Sequence, residues 1–571
     1  MKLLPTEIAK LVTQAIQAAQ AAGDLPAFDI PAIEARPPKR AEQGDYAVSV
    51  AMQLVKATGL NPFLIATKIS HHFPQSDFIS AVEVLHPGFI NLRLSKDWLN
   101  AQVDTIIAEG ENLFQLELGA GKRAQVEFVS ANPTGPLHVG RSRGAIVGDS
   151  LARILEAAGY SVEREYYFNN AGVQMQNLGN SLRVRYLQAL GQPVNSPDAD
   201  DKTFYHGDYL IDFAKELVAE QGNALVDADW QPFKEYAEKK MFERIKTTLA
   251  RVNIHHDVYF NENSLYDNRA VWDTFEALKA RGDVYEAVYA ENATEEDIAK
   301  IKGSEPAWYF RSTKYGDDKD RVLLKSNKEP TYTLPDIAYH LNKIARGFDV
   351  MVNVLGADHG AQYKVVHYGL TALGEDISNI HVIIVQLVRM IRDGVELKMS
   401  TRQGVYETLD ELIDQTSADA VRYILLARSP DSQLDFDLDL AVKQTNENPV
   451  YYIQYAYVRC AGIMREAEVR GVNDDNANLS LLGDSERAFL RKSLELGETI
   501  EFAATKLEPH KIAFFALELA SAFHPIFDNV RVLHSEVPPD VASARLRFFR
   551  AAQVVFKRAL DLMGMSAPEK M

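Results

Sequence analysis

Apolar positions along this chain follow three patterns, and each predicts a different element. From Arg123 to Ser130 the residues alternate, with Val126 and Phe128 on one face, which predicts a short buried strand. A turn-rich segment follows, Asn132-Pro133-Thr134-Gly135-Pro136. Val147, Leu151, Ile154, Leu155 and Ala158 then recur at helical spacing, and Gly159 stands where a helix C-cap belongs. Ser161 to Phe168 returns to the pattern of a strand. Strand, loop, helix and strand in that order make a βαβ unit. The third pattern, a nearly continuous apolar run, predicts buried strands at Asp349 to Leu355 and His381 to Val388.

The same reading divides the rest of the chain. Residues 1 to about 112 predict a small α+β unit. It starts with a helix and passes a Pro-rich stretch at Pro37-Pro38. A second helix opens at Gly44-Asp45-Tyr46 and runs through Leu54, and a third starts at Asn61-Pro62. Val82 to Leu94 closes it as strand–turn–strand across His86-Pro87-Gly88. From about Asn180 to Ala299 the chain is polar and mostly helical, an insertion between two halves of a sheet, in which His256 to Glu262 is a short strand ending on an acid. The sheet resumes near Trp308, Val322 to Lys325 is strand-like, and Pro335 stands where a helix starts. Strands alternating with helices predict a mostly parallel, doubly wound sheet of Rossmann type, with its ligand at the carboxyl ends of the strands. From Leu409 onward helix periodicity dominates, at 412–426, 449–467, 488–504 and 512–527. The fold class is α/β, with an insertion, a small α+β N-terminal domain and an all-α C-terminal bundle.

At 571 residues the chain is too long for one core, so three or four domains are expected. Hydrophobic content of 46% and charged content of 25% are those of a soluble globular protein. No apolar run is long enough to span a membrane. The first twenty residues are broken by Pro5, Glu7 and Lys10 and read as an amphipathic helix rather than a signal peptide. Cys460 is the single cysteine, which excludes a disulfide and a cysteine metal cluster and fits a reducing cytoplasm. The net charge of −18 argues against a general nucleic-acid binder, but binding follows local patches. Residues 440–571 hold 16 Lys and Arg against 17 Asp and Glu, so nearly all the excess acid lies earlier. Between Arg531 and Leu560 six basic residues face two acidic ones, which is either an RNA-facing stripe or a solvated helix face.

Candidate chemistry begins at the first loop. His138, Gly140 and Arg141 open the predicted helix, where unpaired N–H groups and a partial positive charge suit phosphate. Gly140 has no Cβ and lets a flat ring approach the backbone, and His138 can donate to a phosphate oxygen. Alone, this is equally a capping turn. About 260 residues later Leu397-Lys398-Met399-Ser400-Thr401-Arg402-Gln403-Gly404 forms a polar, basic loop after a β-rich segment. The pair resembles the two signature motifs of class I aminoacyl-tRNA synthetases, "HIGH" (here His138-Val139-Gly140-Arg141) and "KMSKS" (here Lys398-Met399-Ser400-Thr401-Arg402). SANPTGPLHVG, GADHG, KMSTR and NPVYYIQYA narrow the resemblance to arginyl-tRNA synthetases of the bacterial type, from about Gly44 to Met571.

That resemblance implies three domains: a tRNA-contacting α+β domain over 1–112, a Rossmann catalytic domain over 113–408 with its insertion at about 180–300, and a helical anticodon-binding domain over 409–571. It implies ATP-dependent ligation of L-arginine to its tRNA through an arginyl-adenylate, in a monomeric cytoplasmic enzyme. His138, Gly140, Arg141, Lys398 and Ser400 take the catalytic positions. Pro133, Thr134, Gly356, Asp358, His359 and Met399 join them around ATP. Magnesium accompanies ATP as its counter-ion, with no metal-binding residues of the protein. Glu127, Asn132, Glu262, Tyr332, Asp336 and Gln362 match arginine-contacting positions, with Asp336 and Glu262 on the guanidinium, Tyr332 stacked on it, and Asn132 and Gln362 at the α-amino and carboxylate ends. Tyr451, Gln454, Tyr455, Arg459, Asn529 and Arg531 match tRNA-contacting positions. Three departures stand out. Arg141 replaces the usual second histidine and is expected to serve as a fixed cation on phosphate. Thr401 and Arg402 replace the second half of KMSKS, and Tyr457 stands where the family often has histidine. The competing readings are a catalytically silent RNA-binding paralogue, another class I synthetase such as a cysteine-specific one, and a small nucleotidylyltransferase. The last needs no helical tail of this length, and intact His138, Lys398 and Ser400 speak against a silent copy.

Overall fold

The computed structural model describes residues 3–198, 201, 203–295, 298, 305–397 and 408–571. The chain divides into two compact units, Met1–Leu118 with Gln444–Met571, and Gly119–Lys443.

In the first unit the helix Leu4–Ala21 buries Ile8, Val12, Ala15, Ile16 and Ala19 along one stripe. Four strands, β1 (Ala35–Arg36), β2 (Tyr46–Val48), β3 (Ile79–Leu85) and β4 (Phe89–Leu94), form an antiparallel sheet in the order β1-β2-β4-β3. The expected helix at Gly44–Tyr46 is instead the entry to β2. Tyr46 and Val48 both point inward at a two-residue period, β2 pairs with β4, and helix begins only at Val50. Gly44 is required there: its φ is +116° and a Cβ would lie 2.8 Å from the Leu92 carbonyl oxygen. The helices Pro449–Arg470, Asp484–Lys506 and His510–Asn529 follow, as the periodicity predicts, and a further helix, Pro539–Leu562, packs with them.

The second unit is built on a five-stranded sheet of β5 (Arg123–Glu127), β6 (Ser161–Phe168), β7 (Val258–Asn261), β11 (Val350–Gly356) and β12 (Ile380–Val385), all parallel, in the order β12-β11-β5-β6-β7. The chain leaves β5 toward β6 and β7 and returns on the other side of β5 with β11 and β12. Loops therefore diverge at the carboxyl ends of β5 and β11, the switch point where a doubly wound sheet opens a crevice. Ala124, Gln125, Val126 and Glu127 are all buried because a parallel sheet is covered on both faces.

Four sequence expectations need correction here. β7 lies inside the segment read as insertion, yet it belongs to the parallel sheet. The segments at Trp308 and Val322 do not resume that sheet. β8 (Val284–Ala287), β9 (Ala307–Phe310) and β10 (Arg321–Leu324) form a separate antiparallel sheet. Strand pairing is a long-range choice that local pattern does not carry. The run at His381–Val388 also splits, β12 ending at Val385 and β13 (Val388–Arg392) pairing with β14 (Val395–Leu397) and with β15 (Leu434–Asp437). Residues 409–443, read as the start of the helical tail, include β15 and fall in the second unit.

The helix Val139–Ala157 crosses the sheet and is buried nearly all round, so its polar residues need internal partners. Gly148 packs on Phe128, which a Cβ would meet at 2.4 Å. Asp149, 1% exposed, is held by Arg422 at 2.5 Å and Arg153 at 2.8 Å. Burial works to raise its carboxyl, and the three arginines 422, 153 and 164 hold it below the usual range. Arg422→Met leaves that carboxylate short of its buried partner. We expect the urea unfolding of this unit to lose about 3–5 kcal/mol, read as a lower midpoint in a denaturation curve.

Candidate active site

β5 ends at Glu127, and the chain then turns sharply. Val129 and Ser130 take φ of +71° and +43°, a backbone region that costs non-glycine residues on the order of 1 kcal/mol each. The turn is secured by its neighbours. Ser130 Oγ donates to Glu127 Oε1 at 2.9 Å, and Tyr166 Oη donates to the Ala131 carbonyl at 2.7 Å. It carries Asn132 to Pro136 over the sheet and delivers His138 to the N-cap of the helix Val139–Ala157. His138 Nδ1 accepts from the Gly140 N–H at 2.9 Å, so the ring carries its proton on Nε2, which is left to donate outward. A Cβ on Gly140 would sit 3.2 Å from that ring nitrogen. Arg141 is exposed beside it.

These loops line a cavity of about 580 Å³. Around it the structure brings together Glu127, Asn132, Thr134, His138, Arg141, Glu262, Tyr332, Asp336, His359 and Gln362, residues spread over more than 230 positions. Pro133, Gly140, Gly356 and Asp358 lie in the same turns without lining it. Lys398, Met399 and Ser400 lie outside the described residues. Thr408 forms a backbone bridge with His138, and the Leu409 N–H donates to the Leu137 carbonyl at 2.8 Å. The helix itself is tied to the loops that precede β13 and β15. Arg143, 0% exposed, donates to the carbonyls of Gln386 (3.1 Å), Ser432 (2.6 Å) and Ser429 (2.8 Å).

The floor is acidic. Glu262 accepts from Tyr167 Oη at 2.7 Å and Asn169 Nδ2 at 2.8 Å, and Asp336 accepts from Gln362 Nε2 at 2.9 Å. Gln362 thus orients an acid. Burial pushes the Asp336 carboxyl up to about 8, helped by the charges of Glu262 and Glu127 and opposed by the Gln362 bond. Burial likewise raises Glu262. Tyr332 stands at the rim, 73% exposed. The sequence reading missed Tyr167, Asn169, Asn353, Tyr363 and the buried Lys343. The apolar spacing of the helix Thr333–Ala345 makes Lys343 look like an exposed helix end.

In the first unit Tyr451, Tyr455 and Arg459 recur every four residues on one face of the helix Pro449–Arg470. The two tyrosines stack at 5.4 Å, and the Arg459 guanidinium lies 4.5 Å over Tyr455. Asn529 and Arg531 are exposed. Gln454 does not join that face: it is buried and donates to the Ser566 carbonyl at 3.0 Å. The basic stripe is also largely engaged within the unit. Arg547 pairs with Asp104, Arg550 with Asp474 at 2.8 Å, Lys557 with Asp561 at 2.5 Å, and Arg558 donates to the Leu113 carbonyl at 3.0 Å.

A parallel sheet with a His-x-Gly turn at a helix N-terminus over its switch point is the architecture of class I aminoacyl-tRNA synthetases, and the class I (R) catalytic-domain model matches residues 102–437. The arginyl tRNA synthetase N terminal domain model matches residues 6–94 and the DALR anticodon binding domain model residues 453–571. The chain is 39% identical to an arginine–tRNA ligase of Desulforamulus reducens over 100% of this chain and 99% of that one, and 41% identical to one of Carboxydothermus hydrogenoformans over 97% of each. The chain belongs to the arginyl-tRNA synthetase family. The solved arginyl-tRNA synthetase of Thermus thermophilus shares the fold, with a TM-score of 0.74 over 100% of both chains at 19% identity.

The clustered acids carry a cost in the ligand-free protein. A carboxyl raised to about 8 when folded, against an ordinary value near 4, keeps its proton in the folded state, so stability falls as pH rises between those values. Asp336→Asn is expected to stabilise the ligand-free protein by roughly 1–3 kcal/mol at pH 8.5 and by almost nothing at pH 4, read from thermal melts at the two pH values.

Proposed function

We propose that this protein ligates L-arginine to its tRNA at the expense of ATP, in a pocket whose acidic floor selects the guanidinium. The paired acids Asp336 and Glu262, facing one cavity with neutral hydrogen-bond donors on their other sides, support this reading most directly. A guanidinium is planar, always charged and carries five donors, so it suits two converging carboxylates; a lysine ammonium fills such a site poorly. Tyr332 closes over it from the rim. Asn132 and Gln362 face the α-amino and carboxylate ends.

In the first step an arginine carboxylate oxygen attacks the α-phosphorus of ATP, forming the mixed anhydride and expelling pyrophosphate. In the second the terminal adenosine hydroxyl of the tRNA attacks the arginyl carbonyl and AMP leaves. Neither step needs a protein nucleophile, so catalysis is positioning and charge stabilisation. His138 Nε2 and the N-terminal N–H groups of the helix Val139–Ala157 hold phosphate, with Thr134, Pro133 and Gly140 beside the nucleotide. Gly356, Asp358 and His359 bound it from the β11 turn. Arg141 contacts phosphate as a fixed cation, while Lys398 and Ser400 stabilise the departing pyrophosphate and Met399 takes part in ATP binding. Magnesium enters with ATP, held by phosphate and water, and offsets phosphate charge. The tRNA lies against residues 1–112 and against Tyr451, Tyr455, Arg459, Asn529 and Arg531, whose stacked rings and cation suit unpaired bases. The enzyme works as a monomer in the cytoplasm, where ATP and tRNA meet.

The test is ATP–pyrophosphate exchange with each amino acid in turn, with and without total tRNA. Exchange confined to arginine supports the reading, and exchange with none overturns it. Glu262→Gln is expected to raise the arginine KM about a hundredfold while leaving the ATP KM within twofold. Because Asp336 keeps its proton up to about pH 8 in the free pocket, arginine must displace it on binding. Affinity should therefore rise with pH, approaching about tenfold per pH unit between 6 and 8 and flattening above, as measured by isothermal titration calorimetry.

A further inference from the structure

Arg459 stands on the helix Pro449–Arg470, eight residues after Tyr451 and four after Tyr455, and its side chain is 18% exposed. Its guanidinium lies 4.5 Å over the Tyr455 ring and 4.4 Å over the Phe527 ring, and Tyr455 in turn stacks on Tyr451 at 5.4 Å. Tyr451, Tyr455, Arg459 and Phe527 are thus in contact in that order. The helix His510–Asn529 fixes the third of them. His524, Phe527 and Asp528 stand at i, i+3 and i+4 there, on one face. His524 Nε2 is 2.9 Å from the Tyr452 carbonyl, which can only accept, so that nitrogen carries the ring proton. Burial lowers the pKa of His524, which leaves the ring neutral at neutral pH and Nδ1 without a proton. Nδ1 therefore accepts from Arg459 Nη1 at 3.0 Å. Asp528 Oδ1 takes the same nitrogen at 3.2 Å, and the Asp528 side chain is 59% exposed. Both Nη1 protons thus have acceptors, and a phosphate near this guanidinium would also lie near an exposed carboxylate, which repels it.

We infer that Arg459 serves the tRNA as a layer of this aromatic stack and not as a phosphate anchor, and that His524 is the positioning residue that holds it there. This rests on the reading of that face as a tRNA surface. Unpaired bases stack on aromatic rings whatever their identity, and an arginine among the rings adds a cation–π contribution. A guanidinium on a flexible stem contributes little of this unless it is held, because ordering its rotamers costs entropy. His524 removes that freedom before the RNA arrives. With its Nη1 protons committed and most of its surface covered, Arg459 adds little to the charge that draws phosphate.

The experiment is attachment of labelled arginine to total tRNA on the unaltered protein, Arg459→Met, His524→Leu, His524→Gln and Tyr455→Ala. The tRNA KM and kcat are measured between roughly 50 and 200 mM salt. We expect Arg459→Met and His524→Leu each to raise the tRNA KM about fivefold to tenfold, with kcat and the arginine and ATP KM within about twofold. The slope of log KM against log salt concentration should stay unchanged in Arg459→Met, whereas losing one phosphate contact to a single strand lowers it by about 0.7. His524→Gln keeps one donor and one acceptor on its amide and should hold the tRNA KM within about twofold of the unaltered protein. In Arg459→Met, a slope lowered by about 0.7 or an unchanged tRNA KM overturns the stacking role. A folded His524→Leu with an unchanged tRNA KM overturns the positioning role, and so does a rise of about fivefold in His524→Gln, which decides the matter if His524→Leu does not fold. Tyr455→Ala with an unchanged tRNA KM overturns the reading of the face, and the inference with it.

Discussion

The structure depends on how it balances carboxylates at the ends of parallel strands. β5 ends on Glu127, β6 carries the fully buried Glu165, and Glu262 follows β7. A buried carboxylate without a cation or a full set of donors costs several kcal/mol. The helix Thr333–Ala345 and the residue after it supply two cations. Lys343 takes Glu127, and Arg346 takes Glu165 at 2.5 and 2.9 Å, with Tyr339 Oη as a further donor. Glu262 and Asp336 receive neutral donors, and among the described residues no cation is paired with either. The pocket is thus a place where the fold sets two acids side by side and gives them neutral partners only.

A second constraint holds the His138 turn in register with this floor. The helix Val139–Ala157 is buried on nearly every face, so it cannot slide, and it is pinned near its start and at its middle: Arg143 by three main-chain carbonyls, Asp149 by Arg422. The strained turn at Val129–Ser130 persists because Tyr166, Tyr167 and Glu127 all bond to it. Thr408 pairs with His138 at the helix N-terminus, so the segment holding the second signature motif rejoins the chain at the first. Rigid placement of this kind is what a reaction without a protein nucleophile requires.

Much of the architecture was legible before any coordinates. Periodicity identified the first βαβ unit, the strand at Asp349–Leu355 and three of the long C-terminal helices, because those segments are long and strongly patterned, whereas the helix expected at 412–426 is two, Leu409–Gln415 and Ala418–Leu426. Family motifs also picked out His138 and the acids Glu262 and Asp336, which the fold brings to one cavity. What failed were short apolar runs. Tyr46–Val48 reads as helix until β4 is there to pair with it, and Trp308 and Val322 could join either sheet. The basic stripe of residues 531–560 looked equally like an RNA surface or a solvated face. Its partners, Asp104, Asp474 and the Leu113 carbonyl, come from far along the chain.

By itself the sequence determined the fold class, the longest elements and the family, which rest on local spacing or on residues that stand next to one another. The tertiary structure alone decided which charges are compensated. A carboxylate's state depends on what lies within a few ångströms of it and on how much water is excluded, and neither is written in spacing. Lys343 shows the difference. In the sequence it is one more lysine near the end of an amphipathic helix. In the fold, 216 positions from Glu127 along the chain and 2.5 Å from it in space, it compensates that buried carboxylate.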